Sequence, residues 1–322
     1  MQVFRGLPNA SARAPCALAI GNFDGVHLGH QALLLQLSEA AKRLALDAMV
    51  MSFEPHPRAF FAHLSGDLSK APSRIANLRD NLSALSLAGI AKVVVQHFNA
   101  QFAALSPQEF IQKILIDGLH VKYLIVGEDF RFGAKRAGDV ASLIAAGKQH
   151  GFEVHSLTSV EKQGVRISSS NVRAALAEGN FAEAAHLLGR PYQISGHVIH
   201  GQKLGRTLGF PTLNLSVKHQ RPALTGIFTV QVHGLSEQAL PAVASLGVRP
   251  TVDDSGRVLL ETHVLDTQLE AYGKIIQVEF LQKIRNEEKY EGLDQLTQAI
   301  QNDARLARDF FRLRARSATD RI

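Results

Sequence analysis

Residues 21–30 read GNFDGVHLGH, and this stretch decides the fold of the first half of the chain. It follows a short apolar run, Ala17-Leu18-Ala19-Ile20, and leads into a segment with Leu33, Leu34 and Leu37 at helical spacing. A strand, a glycine-bearing turn and a helix start form a setting in which backbone N–H groups hold an anion. The turn carries Gly21 and Gly25, then Gly29, with His27 and His30 three residues apart. Polyphosphate chemistry is the expectation.

Outward from this stretch, residues 16–157 alternate between short apolar runs and helical patterns. The runs at 16–20, 47–53, 92–96, 122–127 and 152–157 are continuous rather than alternating, as in strands covered on both faces. Helical stretches lie between them at about 28–45, 74–88, 107–117 and 139–149. Ser106-Pro107 with Glu109 reads as a helix start, the serine capping and the glutamate reaching back. Such alternation implies a doubly wound parallel sheet, whose ligands sit beyond the C-terminal ends of its strands. Stretches 21–30, 53–58 and 127–133 all fall there. Helices over Ser169–Glu178 and 181–188 follow, and Gly189-Arg190-Pro191 breaks the pattern.

Beyond Pro191 the runs at 192–200, 226–232, 241–247, 258–265 and 274–284 alternate or carry β-branched residues. Phe228, Val230 and Val232 share one face, and Thr229 and Gln231 the other. Close strands without intervening helices predict a small antiparallel barrel. Leu293, Leu296, Ile300, Ala304, Ala307, Phe310 and Phe311 then mark an amphipathic helix to about residue 314. The expected fold class is α/β: an N-terminal doubly wound parallel-sheet domain over 1–185, then a small antiparallel β-barrel domain with a C-terminal helix over 186–322.

At 322 residues, with 46% apolar and 20% charged, the chain is globular in composition and long enough for two cores. Lys and Arg exceed Asp and Glu by 35 − 29 = 6, which suits a solubilising surface as well as an anionic ligand. A non-catalytic RNA-binding module is set aside for want of a basic–aromatic run, and no nucleic-acid partner is expected. Cys16 is the single cysteine, which excludes an intrachain disulfide and reads as a small core residue. With no apolar stretch near the roughly 18 residues of a membrane span, a cytoplasmic protein without a membrane partner is expected. The sequence leaves oligomeric state, including a homo-oligomer, open.

In the GNFDGVHLGH stretch, His27 and His30 with Asp24 suggest either a metal site or donors to phosphate oxygens at a helix start. A capping histidine pair is the plainer alternative. Phosphate binding is the reading adopted, since no further ligand stands out by spacing. A second cluster, RISSSNVR (166–173), sets Ser168, Ser169 and Ser170 between Arg166 and Arg173. The serines can simply cap a helix, but hydroxyls between two arginines also suit a phosphate chain.

These two motifs resemble the HxGH and SSSxxR pair of the nucleotidyltransferase superfamily. The FDG version, with SFEPHPRAFF (52–61) and VGEDFRFG (126–133), is similar to the adenylyltransferase half of the bacterial bifunctional riboflavin kinase/FAD synthetases. That resemblance implies transfer of AMP from ATP to FMN, with release of pyrophosphate. It implies ATP handling by Gly21, Phe23, Asp24, Gly25, His27, Gly29, His30, Arg166, Ser169, Ser170 and Arg173. Phe61, Asp129 and Phe130 fall where flavin and positioning residues lie in that family.

In the second half, GQKLGRTLGFPTLN (201–214) brings Gly201, Lys203, Gly205 and Arg206 together as a phosphate-cradling loop that is not a Walker A loop. A glycine-rich surface loop is the alternative. Thr212 and Asn214 offer a hydroxyl and an amide oxygen on one side, which suits Mg²⁺ carrying nucleotide phosphates. With GVRPT (247–251), LETHVLD (260–266) and IRNEEKY (284–290), this half resembles the riboflavin kinase domain. Glu261, otherwise a plain exposed strand residue, is by that resemblance the base for the ribityl 5′-hydroxyl. The combined expectation is an enzyme with two ATP-dependent steps, riboflavin to FMN and FMN to FAD, using Mg²⁺ with ATP as co-substrate. The alternative is a nucleotidyltransferase whose C-terminal domain only recognises substrate.

Overall fold

A computed structural model describes residues 1–158, 160–162, 165–201, 208–217, 221–248, 258–267 and 269–319. They form two compact units, Met1–Pro72 with Asn81–Ser168, and Ser73–Asp80 with Ser169–Ile322.

The first unit is built on a sheet of β1 (Gln2–Arg5), β2 (Cys16–Ile20), β3 (Asp47–Glu54), β4 (Lys92–His97), β5 (Val121–Gly127) and β6 (Glu153–Leu157). Its order is β1-β4-β3-β2-β5-β6, and every pairing is parallel. Strand β2 is buried along its whole length, which is why its residues are all apolar. Cys16, Leu18 and Ile20 share one core cluster with Leu124, Val126 and Leu115. Full burial of each such Leu or Ile contributes about 1.5–3 kcal/mol. The edge strand β1 is absent from the sequence expectation because QVFR is largely exposed and carries no apolar run.

Helices α1 (Leu28–Arg43), α2 (Pro57–Leu64), α3 (Leu78–Leu87), α4 (Ala100–Ala103), α5 (Pro107–Glu109) and α6 (Val140–His150) connect the strands. The predicted cap at Ser106 forms: its Oγ accepts the Glu109 N–H at 3.2 Å while Glu109 Oε2 accepts the Ser106 N–H at 2.9 Å. Beyond it the helix widens to a π-helix over Phe110–Ile116, in which the Asp117 N–H reaches back five residues to the Gln112 carbonyl. Helix α2 went unread in the sequence, although His56 caps it and Pro57 opens it. The helix expected over 74–88 starts at Leu78. Arg74 is extended instead, accepting the Ala223 N–H and donating its own to Arg221 O at 2.8 Å.

A short hairpin of β7 (Glu161–Lys162) and β8 (Val165–Arg166) ends the first unit. The second holds α7 (Ser169–Glu178), α8 (Phe181–Leu188) and a closed antiparallel barrel ordered β10-β13-β12-β11-β14-β9. The barrel strands are β9 (Gln193–Ile199), β10 (Leu213–Val217), β11 (Gly226–His233), β12 (Leu240–Val248), β13 (Val258–Val264) and β14 (Ile275–Arg285). Phe228, Val230 and Val232 are fully buried, as their alternation predicts, and β13 alternates Val258, Leu260, Thr262 and Val264 inward with Glu261 outward. Helix α8 belongs with this unit because the Phe181 ring lies 5.8 Å from Phe228 and 5.7 Å from Phe280.

Segment Ser73–Asp80 is held by polar bonds to the same unit. Tyr192 Oη donates to Ile75 O at 2.8 Å, Asn77 Nδ2 to Ser195 O at 2.9 Å, and the Ser195 N–H to Asp80 Oδ2 at 3.1 Å. Burial raises the Asp80 carboxyl above its usual range, opposed by the Ser195 hydrogen bonds.

The last helix, α9 (Leu293–Thr319), lays Ala304, Ala307 and Phe311 against Val243, Leu265, Ile227 and Ile284. Arg285 fixes it with a two-pronged pair to the buried Asp303, Nε at 2.9 Å and Nη2 at 2.6 Å. Removing one partner of such a pair leaves a charge without its counter-ion. Asp303→Ala should therefore lower the unfolding free energy by about 3 kcal/mol, read from a denaturant titration.

Candidate functional site

Strands β3, β2 and β5 are neighbours, so the loops after Glu54, Ile20 and Gly127 emerge side by side at one sheet edge. The helix-bearing connections reverse direction around β2, the place where open α/β sheets bind ligands.

The loop after β2 has an unusual backbone. Phe23, Gly25 and Val26 all have left-handed φ angles, of 46°, 80° and 42°. For a β-branched residue such as Val26 this is an outlier. Phe23 folds its ring back toward Gly21, where an added Cβ would stand 3.2 Å from it. Asp24 and His27 are buried. The Gly25 N–H is bonded to Asn81 Oδ1 at 2.8 Å, so here this amide serves the shape of the loop.

His27 caps α1, its Nδ1 accepting the His30 N–H at 3.3 Å. With Nδ1 as acceptor, the neutral ring carries its proton on Nε2, a donor suited to an anion. The His30 ring stacks on that of His27 at 3.7 Å. Helix geometry also leaves the Leu28 and Gly29 amides without an intrahelical acceptor. An added Cβ at Gly29 would stand 3.2 Å from both the His27 ring and the Ile167 carbonyl. RISSSNVR therefore begins against GNFDGVHLGH. Arg166 ends the β7–β8 hairpin and is exposed, whereas Ser169, Ser170 and Arg173 lie in α7 of the second unit. There Arg173 Nε donates to Ser73 O at 2.6 Å.

Phe61 is half exposed, and its ring lies 5.8 Å from Phe98. The series continues through Phe102 at 5.6 Å, Phe110 at 6.1 Å, Phe132 at 5.1 Å and Phe130 at 5.8 Å. An unbroken aromatic path thus joins Phe61 to Phe130. Phe98 and Phe102 escape a reading by motif, though HFNAQF (97–102) sits at the end of a strand, where ligands bind. Asp129 is exposed, with its carboxylate turned back over Gly127.

In the second unit, Asn214 on β10 lies directly opposite Glu261 on β13, which lies opposite Ser245 on β12. Cross-strand partners point to one face, here the outside of the barrel. The Asn214 Nδ2 donates to Thr212 O at 3.2 Å, turning Oδ1 the other way. That oxygen is buried and has no hydrogen-bond partner among the described residues. Gly201 crosses so close that a Cβ there would stand 2.5 Å from Asn214 Nδ2. His263, two residues after Glu261, hydrogen-bonds Pro211 O through Nδ1 at 2.9 Å and meets the Phe210 ring edge-on, which ties GFPTLN to ETHVLD. Lys203, Gly205 and Arg206 lie outside the described residues, as does 249–251 of the GVRPT string.

Glu287 is a neighbour whose place in IRNEEKY gives no hint of a role. Its carboxylate fills the space above Gly247, leaving none for a Cβ there. Burial pushes this carboxyl up; the Ser245 hydroxyl opposes the rise and the Glu261 charge adds to it. Cys16 is buried, donates to Leu119 O, and is pushed up to about 12, mainly by burial, so it is no nucleophile at neutral pH. Among the described residues, no group of three or more His, Cys, Asp or Glu is placed to hold a metal ion, which leaves His27 and His30 without a third ligand of these types. No helix among them is long and apolar enough to cross a membrane.

The FAD synthetase family model matches residues 9–171, and the riboflavin kinase model residues 188–311. The chain is 47% identical to the bifunctional riboflavin kinase/FMN adenylyltransferase of Escherichia coli K12, over 97% of this chain and 99% of that one. It is 43% identical to the Haemophilus influenzae protein of the same description, over 97% and 99%. A solved structure described as a macrolide-efflux protein from Streptococcus pneumoniae superimposes with a TM-score of 0.70 at 28% identity, over 95% and 98%. A C-terminal domain that merely recognises substrate gives way to a second catalytic one, because a kinase model covers it. The two family matches in one polypeptide, with relatives aligned end to end, show that the chain belongs to the bifunctional riboflavin kinase/FMN adenylyltransferase family, whose members carry both activities.

Proposed function

We propose that riboflavin is phosphorylated to FMN on the outer barrel face, at Glu261, and that FMN is adenylylated to FAD at GNFDGVHLGH. The working division of activities is residues 1–185 for adenylyl transfer and 186–322 for the kinase. The observation that carries this reading is the pairing of Asn214 with Glu261 across β10 and β13, with the buried Asn214 Oδ1 aimed away from its own Thr212 bond.

In the kinase step, the Glu261 carboxylate takes the proton of the ribityl 5′-hydroxyl as its oxygen attacks the γ-phosphorus of ATP, and ADP leaves. A hydroxyl is a poor nucleophile, so a positioned base is needed. Asn214 Oδ1 and Thr212 Oγ1 would hold Mg²⁺ as hard oxygen donors once the Asn214 amide, whose Nδ2 faces Thr212 Oγ1 at 3.4 Å, turns over. The ion, when bound, neutralises phosphate charge. Gly201 leaves room for the chain to pass over Asn214, and phosphate binding is assigned to Lys203, Gly205 and Arg206, which lie outside the described residues.

In the adenylyl step, an FMN phosphate oxygen attacks the α-phosphorus of ATP and pyrophosphate leaves. The nucleophile is already ionised, so His27 and His30 donate hydrogen bonds instead of accepting a proton. Arg166, Ser169, Ser170 and Arg173 bind the triphosphate, and Gly21, Phe23, Asp24, Gly25 and Gly29 shape the turn. Phe61, Phe130 and Asp129 receive the flavin at the two ends of the aromatic path. In this reading the protein works in the cytoplasm, with riboflavin, FMN and ATP as its small-molecule partners.

Product formation from riboflavin, ATP and Mg²⁺, separated by chromatography, tests both assignments. Glu261→Gln should lower FMN formation by about 100-fold or more, while adenylylation of supplied FMN stays near wild type. His30→Ala should do the reverse, cutting FAD formation by about 100-fold with FMN still made. Loss of both activities in a folded single variant would refute the assignment of separate sites.

A further inference from the structure

The loop 21–30 is held in its left-handed course from outside its own sequence. Gly25 and Val26 stand consecutively at positive φ, and Phe23 stands two residues earlier. Two side-chain amides bracket them. Asn81 Oδ1 accepts the Gly25 N–H at 2.8 Å, and Gln31 Nε2 donates to Val26 O at 2.9 Å. Gln31 lies one residue past His30, so its bond is local. Asn81 comes from α3, 56 residues along the chain, and is only 6% exposed. A buried amide committed to a single loop is an unusual occupant of a helix face that otherwise buries Ala84 and Leu85.

Val26 is followed directly by His27, whose ring stacks on His30 and caps α1. The direction in which the chain enters α1 therefore sets where both imidazoles point. If the Gly25 N–H lost its acceptor, the buried amide would seek another, and Gly25 has the freedom to turn. We infer that Asn81 is a positioning residue for adenylyl transfer, holding Gly25 so that His27 and His30 meet the ATP phosphates. The inference rests on the assignment of FAD formation to this loop. An amide suits the task because its oxygen accepts the Gly25 N–H.

The test compares Asn81→Leu, close in size but lacking the acceptor, with Asn81→Asp, which retains it. Displacement of reacting groups by about 1 Å costs up to about 100-fold. Asn81→Leu should therefore lower kcat for FAD formation from FMN by about tenfold or more, with riboflavin phosphorylation by the same molecules within about twofold of wild type. Asn81→Asp should recover most of that kcat. Hydrogen exchange at the Gly25 amide should be slow in the wild type and in Asn81→Asp, and fast in Asn81→Leu. An Asn81→Leu chain that forms FAD at the wild-type rate overturns the inference alone. Loss of both activities in Asn81→Leu and in the smaller Asn81→Ala overturns it too, making Asn81 a folding residue. A wild-type chain that makes FMN but no FAD from supplied FMN overturns the assignment of the loop itself.

Discussion

Strand β2 is hydrogen-bonded in parallel on both sides, to β3 and to β5, and the first half of the chain depends on that double pairing. Parallel neighbours need crossover connections, so each strand sends its next loop out at the same edge. Burial on both faces then requires five apolar residues in succession, Cys16 to Ile20. The residues after Ile20 are free of that requirement, and polar and strained ones collect there. The loop that carries His27 and His30 takes positive φ at Phe23, Gly25 and Val26, within six residues of that strand's end.

The barrel solves a different problem. Its strands turn alternate residues inward, and Phe228, Val230, Leu260 and Ala244 are buried there. On the outer face, Asn214, Glu261 and Ser245 line up across three strands. An outer face is normally wet. Here Gly201, the Phe210–His263 contact and Glu287 cover it, so Asn214 is only 5% exposed despite pointing away from the core.

How much of this is legible in the sequence depends on how local each cause is. Strand β2, the Ser106 cap and the inward row of β11 announce themselves through neighbours in the chain. Strand β10 does not: LNLSV is short and comes after a glycine-rich stretch, so it reads as loop until its partners Leu260 and Val198 are known. Arg74 lies in a pattern that looks helical, and its extended form comes from backbone bonds to residues 221 and 223. Histidines, serines and glycines in motifs could be picked out by type and spacing. Asn81, Phe98 and Glu287 could not, because Gly25, Phe61 and Gly247, against which they lie, are far away in sequence. Motifs name the groups that do chemistry, and the groups that aim them leave little local trace.

Segment Ser73–Asp80 bears on how divisible the protein is. It comes from the first half of the chain, yet it accepts from Tyr192 Oη, the Ser195 N–H and Arg173 Nε, and donates to Ser195 O. A polypeptide made from residue 169 onward would carry the whole barrel and still lack these eight residues, leaving those groups to water or to one another. The complementary piece, cut to match, would be interrupted in the first turn of α3, between Asp80 and Asn81. The modules that family comparison separates cleanly along a line are therefore interleaved in the folded chain, and no single cut point follows the boundary between the two units.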